Sequence, residues 1–283
     1  MLSFQPENHK YVSIDPSDTI EWLSVTTVIG FFKQPFDAKA ISKKSSKKNS
    51  PTNKWFGMTP EEIQEVWKAE AKRATDLGTW YHDQREKDLL ACDTINRHEA
   101  VLPVVSPLTN EKGYKIASSQ KLISGIYPEH LVYLRSVGVC GQSDLVEIAH
   151  GKIHILDYKT NKEIKTESFK NWEGISQKMK EPVSHLDDCN YFHYALQLSA
   201  YMYMIQKHNP KLEPGTLTLH HIVFETIGED KYGYPIVNRT EQGDPIVKEV
   251  IPYDLPYLKE EVMAIFHWMK ENKDTIINYS KHK

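Results

Sequence analysis

The chain is poor in cysteine, nearly balanced in charge and free of any long apolar run. Its three cysteines, Cys92, Cys140 and Cys189, stand far apart with no C-x-x-C pair. They can build neither a four-cysteine metal site nor a disulfide framework, and read as buried thiols. No apolar stretch approaches the roughly 18–20 residues needed to cross a bilayer. The opening Met1-Leu2-Ser3-Phe4-Gln5-Pro6-Glu7 has neither the basic start nor the apolar core of a secretory signal. The expectation is a protein of a reducing, cytosol-like compartment. A net charge of −3 gives no chain-wide electrostatic signal for a polyanionic partner.

What is there describes an ordinary globular protein. At 283 residues and 40% hydrophobic content, the chain is long enough for one generous domain. We expect a single domain over 1–283, with a helical and basic-loop region at 1–75, a core at 76–225 and a C-terminal hairpin and helix at 226–283. Positive charge is local: Lys39, Lys43, Lys44, Lys47, Lys48 and Lys54 crowd a Ser/Asn/Pro-rich stretch. Such a run is either a solvated loop or a basic flap that contacts phosphates.

Element signals are uneven. Ser24 to Phe32 is apolar and β-branched, suiting a short strand or a first helical turn. Thr59-Pro60-Glu61-Glu62 is a helix start, with Thr as N-cap, Pro at the first position and acids in the first turn. That helix should run towards Leu77, where Gly78-Thr79 interrupts or re-caps it before a second helical stretch from Trp80 to about Leu90. Leu122 to Val139 holds extended segments. Residues 161–188 are polar and irregular. Tyr191 to about Gln206 is a helix apolar on most faces, hence buried. Leu217 to Glu225 reads as a strand, 228–245 as a long hairpin or loop, and Tyr257 to Asn272 as an amphipathic helix.

The most informative run is Gly141-Gln142-Ser143-Asp144 followed by Asp157-Tyr158-Lys159-Thr160. Leu145–Ile148 and Ile153–Leu156 are strand-like, and Ala149-His150-Gly151-Lys152 suits a tight turn, so the segment is a β-hairpin. Asp144 should open its first strand and Asp157 close its second, which brings both carboxylates to one edge. Lys159 lies two residues on, on the same face as Asp157. Two hard oxygen ligands beside an ammonium suit phosphodiester hydrolysis: a divalent metal to activate water and a lysine to offset developing charge. Gln197 and Tyr201, four apart on the buried helix, share one face.

Together, Gly141-x-x-Asp144, Asp157-Tyr158-Lys159-Thr160, Gln197-x-x-x-Tyr201 and, upstream, Gly78-Thr79-x-x-His82 make the chain resemble the RecB-like branch of the PD-(D/E)XK nuclease superfamily. The likeness spans roughly residues 75–205. Ser24-Val25-Thr26-Thr27-Val28 is also similar to the opening of the mitochondrial genome maintenance exonuclease group and related phage proteins. The resemblance implies an α/β fold with a restriction-endonuclease-like core, a central mixed sheet flanked by helices, preceded here by an N-terminal helical region. It implies Mg²⁺ or Mn²⁺ held by His82, Asp144, Asp157 and the Tyr158 carbonyl, with Glu129 as an outer ligand. Lys159 would stabilise charge at phosphorus, and Gln197 and Tyr201 would orient the site or touch the DNA backbone. Glu86, one turn after His82, would orient that imidazole or lie at the surface.

Members of the branch that carry an iron–sulfur cluster use four cysteines. Three are present here, so no cluster is expected. No Gly-x-x-x-x-Gly-Lys-Ser/Thr motif appears, so opening duplex DNA would need a separate helicase, or a single-strand-binding partner, with no membrane involved. The expected activity is a metal-dependent exodeoxyribonuclease on single-stranded DNA ends or flaps, in replication, repair or recombination. It would be cytoplasmic, in a host cytoplasm if phage-encoded, with an organelle matrix also compatible. Two alternatives differ in class: a structure-specific or defence endonuclease of the same fold, and a non-catalytic DNA-binding scaffold.

Overall fold

The computed structural model describes residues 2–48, 50–117 and 119–281; Met1, Asn49 of the lysine-rich stretch, Ser118, His282 and Lys283 lie outside the described residues. Six strands form the central sheet: β1 (Leu23–Ser24), β2 (Gly125–Leu134), β3 (Val139–Ala149), β4 (Lys152–Lys159), β5 (Glu213–Phe224) and β6 (Val247–Leu255). Five helices accompany it among the described residues: α1 (Val25–Phe32), α2 (Ala38–Ser46), α3 (Pro60–Leu90), α4 (Asn190–His208) and α5 (Lys259–Lys281).

The sheet grows outward from the expected hairpin. β3 and β4 pair antiparallel, and His150 and Gly151 turn between them with φ of +50° and +73°. Positive φ at both turn residues matches the right-handed twist of the strands it joins. β2 pairs antiparallel along the other edge of β3. From β4 the chain crosses through α4 to β5, which lies parallel to β4, and β6 closes that side antiparallel to β5. The result is the mixed sheet that the sequence implied.

Alternation along the strands feeds two cores. Val146, Ile148 and Ile155 face α1, α4 and α5, where Phe32, Leu196, Met202 and Phe266 are buried. Leu145, Leu156 and Ile222 face α3 and the hairpin Thr94–Arg97/Ala100–Pro103, meeting Leu77, Tyr81 and Leu102. Both sheet faces are therefore covered, which is why these strands read as near-continuous apolar runs. Among the described residues no helix is long and apolar enough to cross a membrane.

Four local expectations need correction. Helix α3 is one helix of 31 residues, with the expected Thr59 capping box, and it runs through Gly78-Thr79 without a break. Gly78 is there because the helix passes close to the loop after β4: a Cβ would lie 3.3 Å from Thr160 Oγ1. The lysine-rich stretch is not all loop, since Asp37 caps α2 and places Lys39, Lys43 and Lys44 on it. The N-terminal region is not only helical: Leu2–Gln5 and Lys10–Ser13 form a hairpin that joins the strands Lys115–Ile116 and Leu108–Thr109. Finally, Cys140 and Cys189 are buried as expected, but Cys92, just past the end of α3, is exposed. Strand β6 and the hairpin Thr94–Arg97/Ala100–Pro103 carried no sequence signal, and α5 continues past Asn272 to Lys281; Ser24 ends β1 and caps α1 by accepting from the Thr27 N–H at 3.0 Å.

Candidate active site

One edge of β3 is shared by two partners. Val139 and Cys140 pair with β1, and Leu145 to Ala149 pair with β4. Between them, Gly141 to Asp144 have no strand on that edge among the described residues. The gap frees Asp144 to use its side chain there: the Tyr158 N–H, just beyond the last β4 rung, donates to Asp144 Oδ2 at 2.8 Å. Asp144 thus sits mid-strand and not at the strand's start, because β3 begins five residues earlier than expected. Asp157 stands in β4 one residue past the Leu145–Leu156 rung. Both carboxylates are buried, Asp157 to 1% exposure and Asp144 to 8%, so they are part of the interior and not a solvated margin.

Across β3, Glu129 occupies the rung opposite Asp144 in the β2 ladder, between the Pro128–Leu145 and His130–Ser143 pairs. Its φ is +50°, a conformation costly for a residue with a side chain. Gln142 Nε2 donates to Glu129 Oε2. From α3, His82 Nδ1 approaches Asp144 Oδ2 at 3.5 Å and Glu129 Oε1 at 3.8 Å. Ligand atoms of His82, Glu129 and Asp144 all lie within 4.8 Å of one another. Burial works against a charge on His82, yet Asp144 and Glu129 raise its pKa to about 9. In the metal-free protein an imidazolium therefore offsets the two carboxylates, and a divalent cation would take over that role.

Lys159 closes the other side. Its ammonium forms an ion pair with Asp157 Oδ2, donates to the Tyr158 carbonyl at 3.3 Å, and lies 5.1 Å from the Tyr194 ring centre. Burial pulls its pKa down, but Asp157 and Asp144 outweigh that and hold it above the usual lysine range. Asp157 is pushed up to about 6, first by burial and then by the charge of Asp144. Its second oxygen, Oδ1, is buried with no hydrogen-bond partner. An orphaned carboxylate oxygen is expensive unless a proton or a cation completes it. The group whose ligand atoms converge is His82, Glu129 and Asp144, and it fits a hard divalent ion; Asp157 is not one of the three and stands on the adjoining strand, where the charge of Asp144 reaches it.

The site opens into a cleft of about 470 Å³ between α3 and the end of β4, lined by Gly78, Thr79, His82, Tyr158 and Lys159 among others. Gln197 Nε2 lies 3.4 Å from Tyr201 Oη, both buried on α4 beneath the carboxylates. Glu86 pairs with Lys115 at 2.7 Å and not with His82, and Lys115 also reaches Glu129 Oε2 at 3.9 Å. The sequence carries no signal for the roles of Lys115, Gln142 and the half-buried Tyr11. Lys115 and Tyr11 come from the N-terminal sheet, and nothing in their local sequence signals proximity to Asp144.

A nitrogen and an acidic group gathered round buried Asp144, an ammonium held on the neighbouring strand and a solvent cleft above suit divalent-metal phosphodiester chemistry on an α/β sheet. The family model of the PD-(D/E)XK nuclease superfamily matches residues 58–279, and the chain belongs to that superfamily. Membership makes it a metal-dependent nuclease, with DNA as the implied substrate. No curated protein matches the chain.

Proposed function

We propose that the protein is an exodeoxyribonuclease that uses Mg²⁺ or Mn²⁺ to hydrolyse single-stranded DNA ends or flaps during replication, repair or recombination. The observation that carries the catalytic reading is the gathering of His82, Glu129 and Asp144 ligand atoms within 4.8 Å, with the buried, unpartnered Asp157 Oδ1 on the neighbouring strand. Asp144, Asp157, Glu129 and His82 would hold the ion, with the Tyr158 carbonyl adjoining it. Such an ion, when bound, makes water a nucleophile near neutral pH and offsets charge on the phosphate.

The chain's own groups do the rest. Lys159 stays protonated because Asp157 and Asp144 surround it, so it acts as a fixed cation for negative charge that builds on phosphate oxygens, and not as a base. Asp157 anchors that ammonium through one oxygen, and its other, unpartnered oxygen would be available to a bound ion. Gln142 and Lys115 keep Glu129 turned towards Asp144. Gln197 and Tyr201 are positioning residues: at 9% and 3% exposure they support the β3 edge from below, and their burial speaks for orienting the site over touching the DNA backbone.

End-directed action is supported by the segment after Lys159. Residues 160–188 leave the site and return to α4, where the Tyr191 N–H donates to the Lys165 carbonyl at 3.1 Å. Its outer turn exposes Phe169, Ile175 and Trp172, the last at 91%, side chains on which unpaired bases can stack. Linear and covalently closed single-stranded circles of one sequence test this reading. The linear form should disappear while the circle persists; equal loss of both would make the enzyme an endonuclease.

A further inference from the structure

The cleft at Lys159 continues sideways into a second concavity of about 600 Å³. Ala74 of α3 and Thr160 and Asn161 after β4 line both, so the two spaces meet at that threshold. Leu77, Ile222, Phe224 and Val237 give the second space apolar walls. Its roof is the arm formed by Thr226–Glu229 and Pro235–Val237. That arm is held down at its turn: Lys54 Nζ donates to the Tyr232 carbonyl at 3.2 Å, Lys162 Nζ to the Gly233 carbonyl at 3.5 Å, and the Trp55 and Tyr232 rings stack at 5.6 Å.

Charge at the rim is matched, with Arg73, Lys162 and Lys248 set against Glu70, Glu225 and Glu229. Arg73 is further committed to Glu70 through contacts of 2.8 and 2.6 Å. A run of phosphates gains nothing from such a rim, since binding a polyanion rests on uncompensated cations. Apolar walls with a few polar groups at the mouth suit instead a flat, weakly polar ring system. A phosphate seated beside Lys159 necessarily carries a nucleoside to either side, and this apolar concavity opens off the cleft that Lys159 lines.

We propose that the concavity is a nucleobase pocket, which takes the base of the nucleotide next to the scissile phosphate. The proposal rests on the reading of the site as a nuclease acting on single-stranded DNA. A base that enters the pocket has left its pair, so occupancy of the pocket favours single-strandedness at the cut. Its walls supply contact area and no fixed hydrogen-bonding code, so all four bases enter.

Two measurements keep the pocket and the nuclease reading apart. In the first, the cleavage-deficient Asp157→Asn protein binds a single-stranded oligonucleotide in Mg²⁺, with 2-aminopurine walked along it one position at a time from the end. One or two adjacent positions should change emission at least twofold, and the change should vanish when Ala74→Trp is added to fill the threshold. Ala74 is exposed on α3, so the substitution leaves the core alone; Val237→Trp narrows the opposite wall and should act the same way. In the second, the otherwise unaltered enzyme should cut a strand with an abasic residue at the responsive position about tenfold less efficiently in kcat/KM, and the Ala74→Trp enzyme should not discriminate. Emission uniform along the strand, or unaffected by both tryptophan variants, overturns the pocket. Failure of the unaltered enzyme to cut any DNA overturns the nuclease reading, while the emission pattern alone still decides the pocket.

Discussion

Tyr201 fills the space that a side chain on Gly141 would need: a Cβ there would stand 2.6 Å from Tyr201 Cε1 and 3.1 Å from its Oη. Gly141 lies in the stretch of β3 that has no strand partner on the β4 side, three residues before Asp144. The Gly-x-x-Asp and Gln-x-x-x-Tyr motifs are thus two halves of one contact. The glycine lets the tyrosine ring of α4 press against the strand that carries a metal ligand, and Gln197 steadies that ring at 3.4 Å.

Gly141→Ala should therefore displace Tyr201 and destabilise the fold by about 1–3 kcal/mol, the usual range for overfilling a packed interior. Tyr201→Ala removes the obstacle. Chemical denaturation of the two single variants and the double should give a sum less than additive. Strict additivity would mean that the two residues do not constrain each other.

Asp144→Asn separates stability from metal binding. Burial raises the Asp144 pKa, and His82 and Lys159 only partly counter it, so its charge is a burden in the metal-free protein. The variant should melt no lower than the unaltered protein without divalent ions. Added Mn²⁺ should raise the melting temperature of the unaltered protein by several degrees, as a ligand specific to the native state does, and should leave the variant where it was. A Mn²⁺-induced rise of equal size in both would remove Asp144 from the ligand set.

Lys159→Met asks a different question of the same cluster. The lysine offsets charge at phosphorus and ligates nothing, so kcat should fall about 100- to 1,000-fold. Calorimetry should find Mn²⁺ bound at least as tightly as before, because a nearby cation has been removed. Loss of metal binding together with activity would show that the ammonium is needed to build the site.

His130 supplies a pH dependence outside the chemistry. Burial, then the nearby His208, lowers its pKa from 6.5 to about 4, and its Nε2 has no partner. Between about pH 6.5 and 4 the unfolded chain binds a proton that the native state refuses. Stability should thus be full above pH 6.5 and fall as the pH drops through that window, on the order of 3 kcal/mol from this one group. Asp157, raised to about 6, works in the opposite sense, so the comparison is between pH profiles of the urea midpoint for the unaltered protein and His130→Leu. The variant should lose the acid-side decline; parallel profiles would refute the assignment.

How much of this was legible in the sequence follows from the range of the interactions involved. The β3–β4 hairpin was readable because its turn and alternation are local, and it delivered Asp144, Asp157 and Lys159 together. The N-cap of α3 was equally local. Gly78 misled because its setting is tertiary: helix propensity marks glycine as a break, whereas here it gives room where α3 passes close to Thr160. Asp144 was placed at a strand start because the apolar, β-branched run begins at Leu145, whereas β3 already begins at Val139 and holds Gly141 as a seat for Tyr201. Lys115 and Gln142 were missed for a related cause. Each acts on Glu129 from another strand, and an isolated lysine or glutamine in a strand carries no mark of the neighbour it will meet.

The buried carboxylates and the ammonium at the end of β4 should act together as a metal-dependent site for cutting DNA. The most direct measurement is digestion of end-labelled single-stranded DNA by the unaltered protein and by Asp157→Asn, each with Mg²⁺, with Mn²⁺ and with EDTA. The unaltered protein should cut with either ion and stop in EDTA, and Asp157→Asn should be slower by at least about 100-fold while keeping its circular dichroism spectrum. Cutting by a folded Asp157→Asn protein at the unaltered rate, or cutting that EDTA leaves intact, would contradict it.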